Sequence, residues 1–184
     1  MKYKFFFLLS VVFAVALSVG CSKSDNKPDN GNQDVFMRCK FNGKLREFAF
    51  HVNANDPPSE KLIHFVVVSG WEGEDMARSP GFGFSLVLPE GAQEKTYEVA
   101  GGLTPELDAT YFVQNYNGST NIGTSTWSGG RTEGTSFKLT ITSLSDWGVK
   151  GKFSGLLKGD DNSLITVTDG EFSAPYNYGG RKQI

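Results

Sequence analysis

Few residues of this 184-residue chain have the types and spacing to do chemistry: two histidines, two cysteines, some clustered carboxylates and aromatic side chains in polar loops. His51 and His64 could be a ligand pair or an acid/base dyad. They fall on separate predicted strands, without the fixed spacing of a zinc motif. The apolar alternation turns His51 away from the core and places His64 inside an apolar run. One exposed and one packed histidine is therefore the expectation, and no metal is expected. Cys39 alternates with Met37 and Phe41 and reads as a small core hydrophobe. As a nucleophile it would need a base within reach and an electropositive, exposed setting, and His51 should face the other way. There is no Gly-x-Ser-x-Gly elbow and no phosphate-cradling P-loop. Glycoside hydrolysis needs two carboxylates across a cleft. The acidic groups here, Glu72, Glu74 and Asp75 after Trp71 and the pair Asp160-Asp161, lie in loops, where acids commonly form solvated turns. Asp160, Asp161 and Asn162 lack the repeating ligand loop of a calcium site. The expectation is a non-enzyme without a cofactor, an unrecognised hydrolase being the enzymatic alternative.

Aromatic residues in segments rich in Gly, Ser, Thr and Asn make the strongest functional pattern. Trp71 opens the acidic loop. Tyr116, Asn117, Trp127 and Arg131 lie in an amide- and hydroxyl-rich stretch, and Tyr176 and Tyr178 close the chain. Aromatic faces beside amide, hydroxyl and guanidinium donors are what sugar recognition requires: stacking on C–H faces with hydrogen bonds to hydroxyls. Loops on a rigid scaffold are where such residues tend to sit. The competing reading makes them covering aromatics over a core, with a mobile loop between. Trp147, in a tight turn before Gly148, reads as a lid on the core.

The elements that must position these residues are strands. Residues 35–184 contain no amphipathic run of helical length, and 22 Gly with 15 Phe fit sheets and turns. Asn42-Gly43 between two apolar runs marks a two-residue hairpin, since both turn positions need φ > 0. That register pairs Arg38 with Glu47, Met37 with Phe48 and Val35 with Phe50, and sends Val35, Met37, Cys39, Phe48 and Phe50 to one face. Leu62 to Ser69 reads as a strand buried on both faces. Phe82, Phe84, Leu86 and Leu88 alternate up to Pro89, and Thr104-Pro105-Glu106 could cap one helical turn. Phe137 to Thr142 alternates, and Val149, Gly151, Phe153, Gly155 and Leu157 answer it on one face. Asp169-Gly170 is either a second hairpin or a bulge in one long strand, which is an edge strand or ends at Pro175. The prediction is an all-β fold, an antiparallel β-sandwich or barrel of about ten short strands.

The chain start carries a different signal. Lys2 and Lys4 open it, and Phe5 to Gly20 is uncharged and apolar, shorter than the roughly 18–20 residues needed to span a bilayer. Residues 1–20 are thus a predicted signal peptide. Leu17-Ser18-Val19-Gly20-Cys21 resembles the lipobox of bacterial lipoproteins, with Ser18 where leucine is more usual. The resemblance implies cleavage before Cys21 and diacylglycerol on its thiol. Each buried CH₂ contributes about 0.8 kcal/mol, so two or three acyl chains anchor durably where one does not. Residues 22–34 hold no apolar side chain. They form an expected disordered tether with an r.m.s. reach of roughly 20 Å and a limit near 45 Å. Losing Lys2 and Lys4 moves the formal charge from −2 to −4. That argues against a nucleic-acid-binding protein and leaves acyl chains, not a basic patch, to hold the membrane.

A further resemblance lies in the second half. Gly151-Lys-Phe153-Ser-Gly155, the polar turn at 159–162, and Val167-Thr-Asp169-Gly170-Glu-Phe172-Ser173 resemble a recurring ending of small Bacteroidota lipoproteins of unknown function. Phe41-Asn42-Gly43-Lys44 is similar to their early turn. The resemblance implies a β-rich lipoprotein of the outer membrane, and contributes no catalytic residue. Charges from Lys23 to Asp29 resemble the surface-export signal of such lipoproteins, which favours the cell surface over the periplasmic face. The function expected is a lipid-anchored, non-catalytic binding module for an extracellular glycan or protein. A small barrel carrying an apolar ligand is the alternative.

Overall fold

In a computed structural model, which describes residues 34–55 and 63–177, the alternating runs form eleven antiparallel strands and no helix. They are β1 (Phe36–Phe41), β2 (Lys44–Glu47), β3 (Phe50–Ala54), β4 (Phe65–Trp71), β5 (Gly81–Val87), β6 (Thr96–Val99), β7 (Glu106–Asn117), β8 (Thr120–Gly130), β9 (Ser136–Leu144), β10 (Gly148–Gly159) and β11 (Leu164–Pro175). The predicted signal peptide, Cys21 and the expected tether up to residue 33 lie outside the described residues, as does Tyr178.

Two layers emerge from the pairing. One has the order β2-β1-β11-β10-β9-β6, the other β8-β7-β5-β4-β3. They are continuous because β10 changes partner. Val149–Leu156 pairs with β9, and Leu157–Gly159 pairs with Trp127–Gly129 of β8. On the opposite side the Asn177 amide donates to the Asn55 carbonyl at 3.1 Å, tying the end of β11 to the end of β3. The expected choice between sandwich and barrel thus resolves into one sheet folded so that its halves face each other.

The first hairpin forms as its turn dictates. Asn42 and Gly43 have φ of 49° and 81°, Arg38 pairs with Glu47, and the Phe48 amide donates to Met37. Pairing stops there. The chain leaves β2 after Glu47, Phe50 pairs with Trp71 in the other layer, and both Val35 and Phe50 are exposed. The run from Leu62 also differs from expectation. Val66 and Val68 are buried but Phe65 and Val67 are exposed, so only one face is covered. Thr104-Pro105 caps no helical turn: a cis peptide bond precedes the start of β7. Asp169-Gly170 is the bulge, not a hairpin. β11 runs straight through it with Asp169 at φ 52°, and the strand ends at Pro175 between β1 and β10.

Phenylalanines fill the space between the layers. Phe82 stacks on Phe153 at 5.3 Å and Phe84 meets Phe172 edge-on at 5.1 Å. The Gly-x-Phe-x-Gly and Asp-Gly-x-Phe motifs serve this packing. A Cβ on Gly151 would strike the Phe172 ring, one on Gly155 the Phe137 ring, and one on Gly170 the Phe153 ring. Glycine at these positions lets each ring lie against backbone.

Candidate functional site

The outer surface of the β3-β4-β5-β7-β8 layer carries the arrangement closest to a binding site. Register aligns Phe50, Trp71, Gly81, Phe112 and Thr126 in one row across five strands. Their inward neighbours, Phe82 and Tyr111, are core, so alternation sends this row outward. Trp71 and Phe112 meet edge-to-face, with ring centroids 6.4 Å apart and planes at 74°. Both lean over Gly81, where a Cβ would collide with the Phe112 ring and press on the indole nitrogen. The result is a half-exposed aromatic corner with a bare backbone floor.

Polar groups continue from that corner. The next rows along the strands hold Ser69, Gly83, Thr110, Ser128 and Lys158, then the exposed Val67 with Ser85 and Asp108. The hydroxyls of Ser69, Thr110, Thr126 and Ser128 and the indole N–H of Trp71 have no hydrogen-bond partner among the described residues. Groups that are free and partly solvated in this way can exchange water for a ligand at little cost.

The loop 72–80 borders the corner and is pinned at both shoulders. His51 Nε2 lies 2.8 Å from the Glu74 carbonyl oxygen, so that nitrogen bears the proton. Tyr116 Oη donates to the Ala77 carbonyl at 2.9 Å, and the Arg78 guanidinium sits 4.7 Å over its ring. Within the loop the Asp75 carboxylate accepts from the Ala77 amide, an Asx turn that uses this acid structurally. Glu72 accepts from Arg46 Nε at 2.6 Å, and Arg46 Nη2 donates to Tyr111 Oη at 3.0 Å. This joins β2 to the opposite layer. Burial raises the Tyr111 hydroxyl above its ordinary range, with Arg46 acting the other way.

The residues singled out from sequence are not assembled into one site. Trp71 stands at the aromatic corner. Tyr116 holds the loop beside it, and Asn117 is exposed where β7 turns into β8. Trp127 faces the interior, 5.5 Å from Tyr111, with its indole N–H donating to Ser163 Oγ at 2.7 Å. Arg131 is held by Asp108 (2.9 and 3.1 Å from Nε) and lies 3.5 Å from Glu106. The hydrogen bond to Asp108 raises it above the usual guanidinium range. Tyr176 is buried beyond β11, its amide donating to the Trp147 carbonyl. Sequence reasoning missed Phe112 and the glycine floor. The alternation Gly81-x-Gly83 inside a strand was the available signal, because such glycines mark a close approach.

Of the other chemical candidates, His64 Nδ1 lies 3.0 Å from the Pro89 carbonyl oxygen. Asp161 is held below the usual carboxylate range by hydrogen bonds from Ser163. Cys39 is buried, and burial pushes its thiol from an ordinary 9.0 up to about 12, with Arg46 opposing and Glu72 adding. In the native chain at pH 8, iodoacetamide should leave Cys39 unmodified, and denaturant should expose it, as peptide mass spectrometry would read. Rapid native alkylation would refute a buried neutral thiol. The folded value lies above the unfolded one, so this contribution to stability is whole below the ordinary thiol value and fades as pH rises toward 12.

Compared with known proteins, the chain matches no family model, and no curated protein and no solved structure is significantly similar to it.

Proposed function

We propose that this protein is a lipid-anchored, non-catalytic binding module. Acyl chains on Cys21 hold it in the outer membrane facing outward, and the outer face around Trp71 and Phe112 binds an extracellular glycan. The observation that carries the reading is the corner itself: two partly exposed rings over Gly81, with an unpaired indole N–H and unpaired hydroxyls on the neighbouring strands. Rings stack on the apolar faces of sugars while hydroxyls and N–H groups meet their polar edges. An apolar carrier has less support, since phenylalanines occupy the interior. A hydrolase has less support as well, because Asp108 and Glu106 share Arg131 and Glu72 is held by Arg46.

Two measurements test this. Quenching of tryptophan fluorescence in a Trp127→Phe, Trp147→Phe background should be relieved by a bound glycan, and Trp71 unresponsive to a broad panel would sink the glycan reading. Replacing Cys21 with Ala should move the protein from the membrane pellet to the soluble fraction. Continued sedimentation with membranes would refute the anchor.

A further inference from the structure

We propose that the protein has a second binding site, a cavity at the Asp169-Gly170 bulge on the outer face of the β2-β1-β11-β10-β9-β6 layer, and that it takes one ring of a monoanionic sugar, a uronate or a sugar sulfate. The site is independent of the aromatic corner, which belongs to the other layer.

The backbone builds the cavity. Phe153 of β10 pairs with Gly170 and Gly155 with Val167, so Ser154 alone stands opposite Thr168 and Asp169. Strict alternation would bury one of those two side chains. The extra residue, with Asp169 at φ 52°, leaves both exposed while Val167, Gly170 and Phe172 stay buried. A bulge re-aims side chains in this way. Strand β9 completes the cluster, since Lys138 pairs with Ser154 and Thr140 with Lys152. Lys138, Thr140, Lys152, Ser154, Thr168 and Asp169 line a cavity of about 380 Å³, with the buried Phe153 and Gly170 beneath them. That volume is at the lower end of small-molecule sites and suits a single sugar ring.

Charge selects the ligand. Three acids flank the cluster in the strand register, and each is held by a cation. Glu98 lies 2.9 Å from Lys138, Asp169 3.0 Å from Lys40 and Glu171 2.5 Å from Arg38. Glu171 is also the cross-strand neighbour of Lys152, yet Lys152 has no ion pair or hydrogen bond among the described residues. Its ammonium, with three donors, is left for a ligand oxyanion. The hydroxyls of Ser154 and Thr168 are unpaired as well, and with the Asp169 carboxylate they can meet the hydroxyls of a sugar. A phosphate dianion would face Asp169 and Glu171, so like-charge repulsion favours a ligand with a single negative charge.

The test is saturation-transfer NMR and then titration of the full chain at low salt. Glucuronate, galacturonate and glucose 6-sulfate are compared with glucose, glucose 6-phosphate, acetate and inorganic sulfate. Lys152→Met and Thr168→Val remove the unpaired cation and a hydroxyl at exposed positions. Lys44→Met removes a lysine outside the cavity, and circular dichroism verifies folding. At least one sugar monoanion should bind more tightly than glucose and the bare anions. Lys152→Met should weaken it by about tenfold or more and Thr168→Val severalfold, while Lys44→Met should change little. Added salt should weaken binding too. Equal binding of glucose would overturn the anionic class, equal binding of acetate or sulfate the sugar, and tighter binding of glucose 6-phosphate the single charge. Equal weakening by Lys152→Met and Lys44→Met would reveal a diffuse charge effect and overturn the cavity. Binding that survives Lys152→Met but is lost in Trp71→Ala would put the sugar at the aromatic corner, overturning this site while leaving the glycan reading. Binding of no sugar monoanion would overturn the proposal outright.

Discussion

Replacing Phe153 with alanine should cost about 3–5 kcal/mol of folding stability and lower the melting temperature by roughly 6–20 °C for a domain of this size. Phe153 is 3% exposed, and its ring lies 5.3, 5.5, 6.0 and 6.3 Å from those of Phe82, Phe84, Phe137 and Phe172. It therefore joins β5 of one layer to β9 and β11 of the other. Removing it opens a void that no single layer can close, because the neighbouring Phe137 and Phe172 rings are themselves seated against backbone at Gly155 and Gly151. Phe153→Leu, which keeps much of the volume, should cost less. Chemical denaturation of both variants reads the difference, and a loss below about 1 kcal/mol for the alanine would refute the central place of this ring.

The second large effect is expected at Gly130, where β8 ends beside Asp108. Its φ is +93°, and a Cβ there would strike the Leu107 carbonyl oxygen. Gly130→Ala therefore combines left-handed strain of roughly 1–2 kcal/mol with backbone displacement of about 1–3 kcal/mol. Gly134 separates the two causes. Its φ is +76° but nothing lies within 4 Å of its Cβ position, so Gly134→Ala should bear the strain alone. Equal losses at the two positions would show that the contact with Leu107 contributes nothing. The Gly130 variant should also disturb the Arg131–Asp108 pair, since Gly130 is the cross-strand partner of Asp108. The Gly134 variant should leave that pair alone.

Local chemistry was legible in the sequence wherever it acts over a few residues. Asn42-Gly43 specifies a turn with both φ positive whatever surrounds it, and so the Arg38–Glu47 pairing follows. Alternation at 82–88 and 137–141 announces which side chains are core. The same logic failed one step further out. Nothing near Phe50 signals that the strand should leave its hairpin partner and pair with Trp71. In Leu62 to Ser69, a continuous apolar run conceals that Phe65 and Val67 face outward.

The candidate site illustrates the limit. Trp71 stood out because an aromatic residue opening a polar loop is conspicuous by itself. Trp127, equally conspicuous, turns inward to Tyr111 and Ser163, and Arg131 is claimed by the acids of β7. Phe112 was invisible because its importance depends on a residue it meets across Gly81. The sequence alone therefore determined the all-β class, the turns and the phenylalanine core, since these follow from side-chain alternation and from the φ that each turn residue tolerates. It also carries the expectation of a lipid anchor. Only the tertiary structure decided which side chains share the open face. Trp71, Gly81, Phe112 and Thr126 come from four strands, and non-local pairing in a folded sheet, which no local period encodes, is what makes them neighbours.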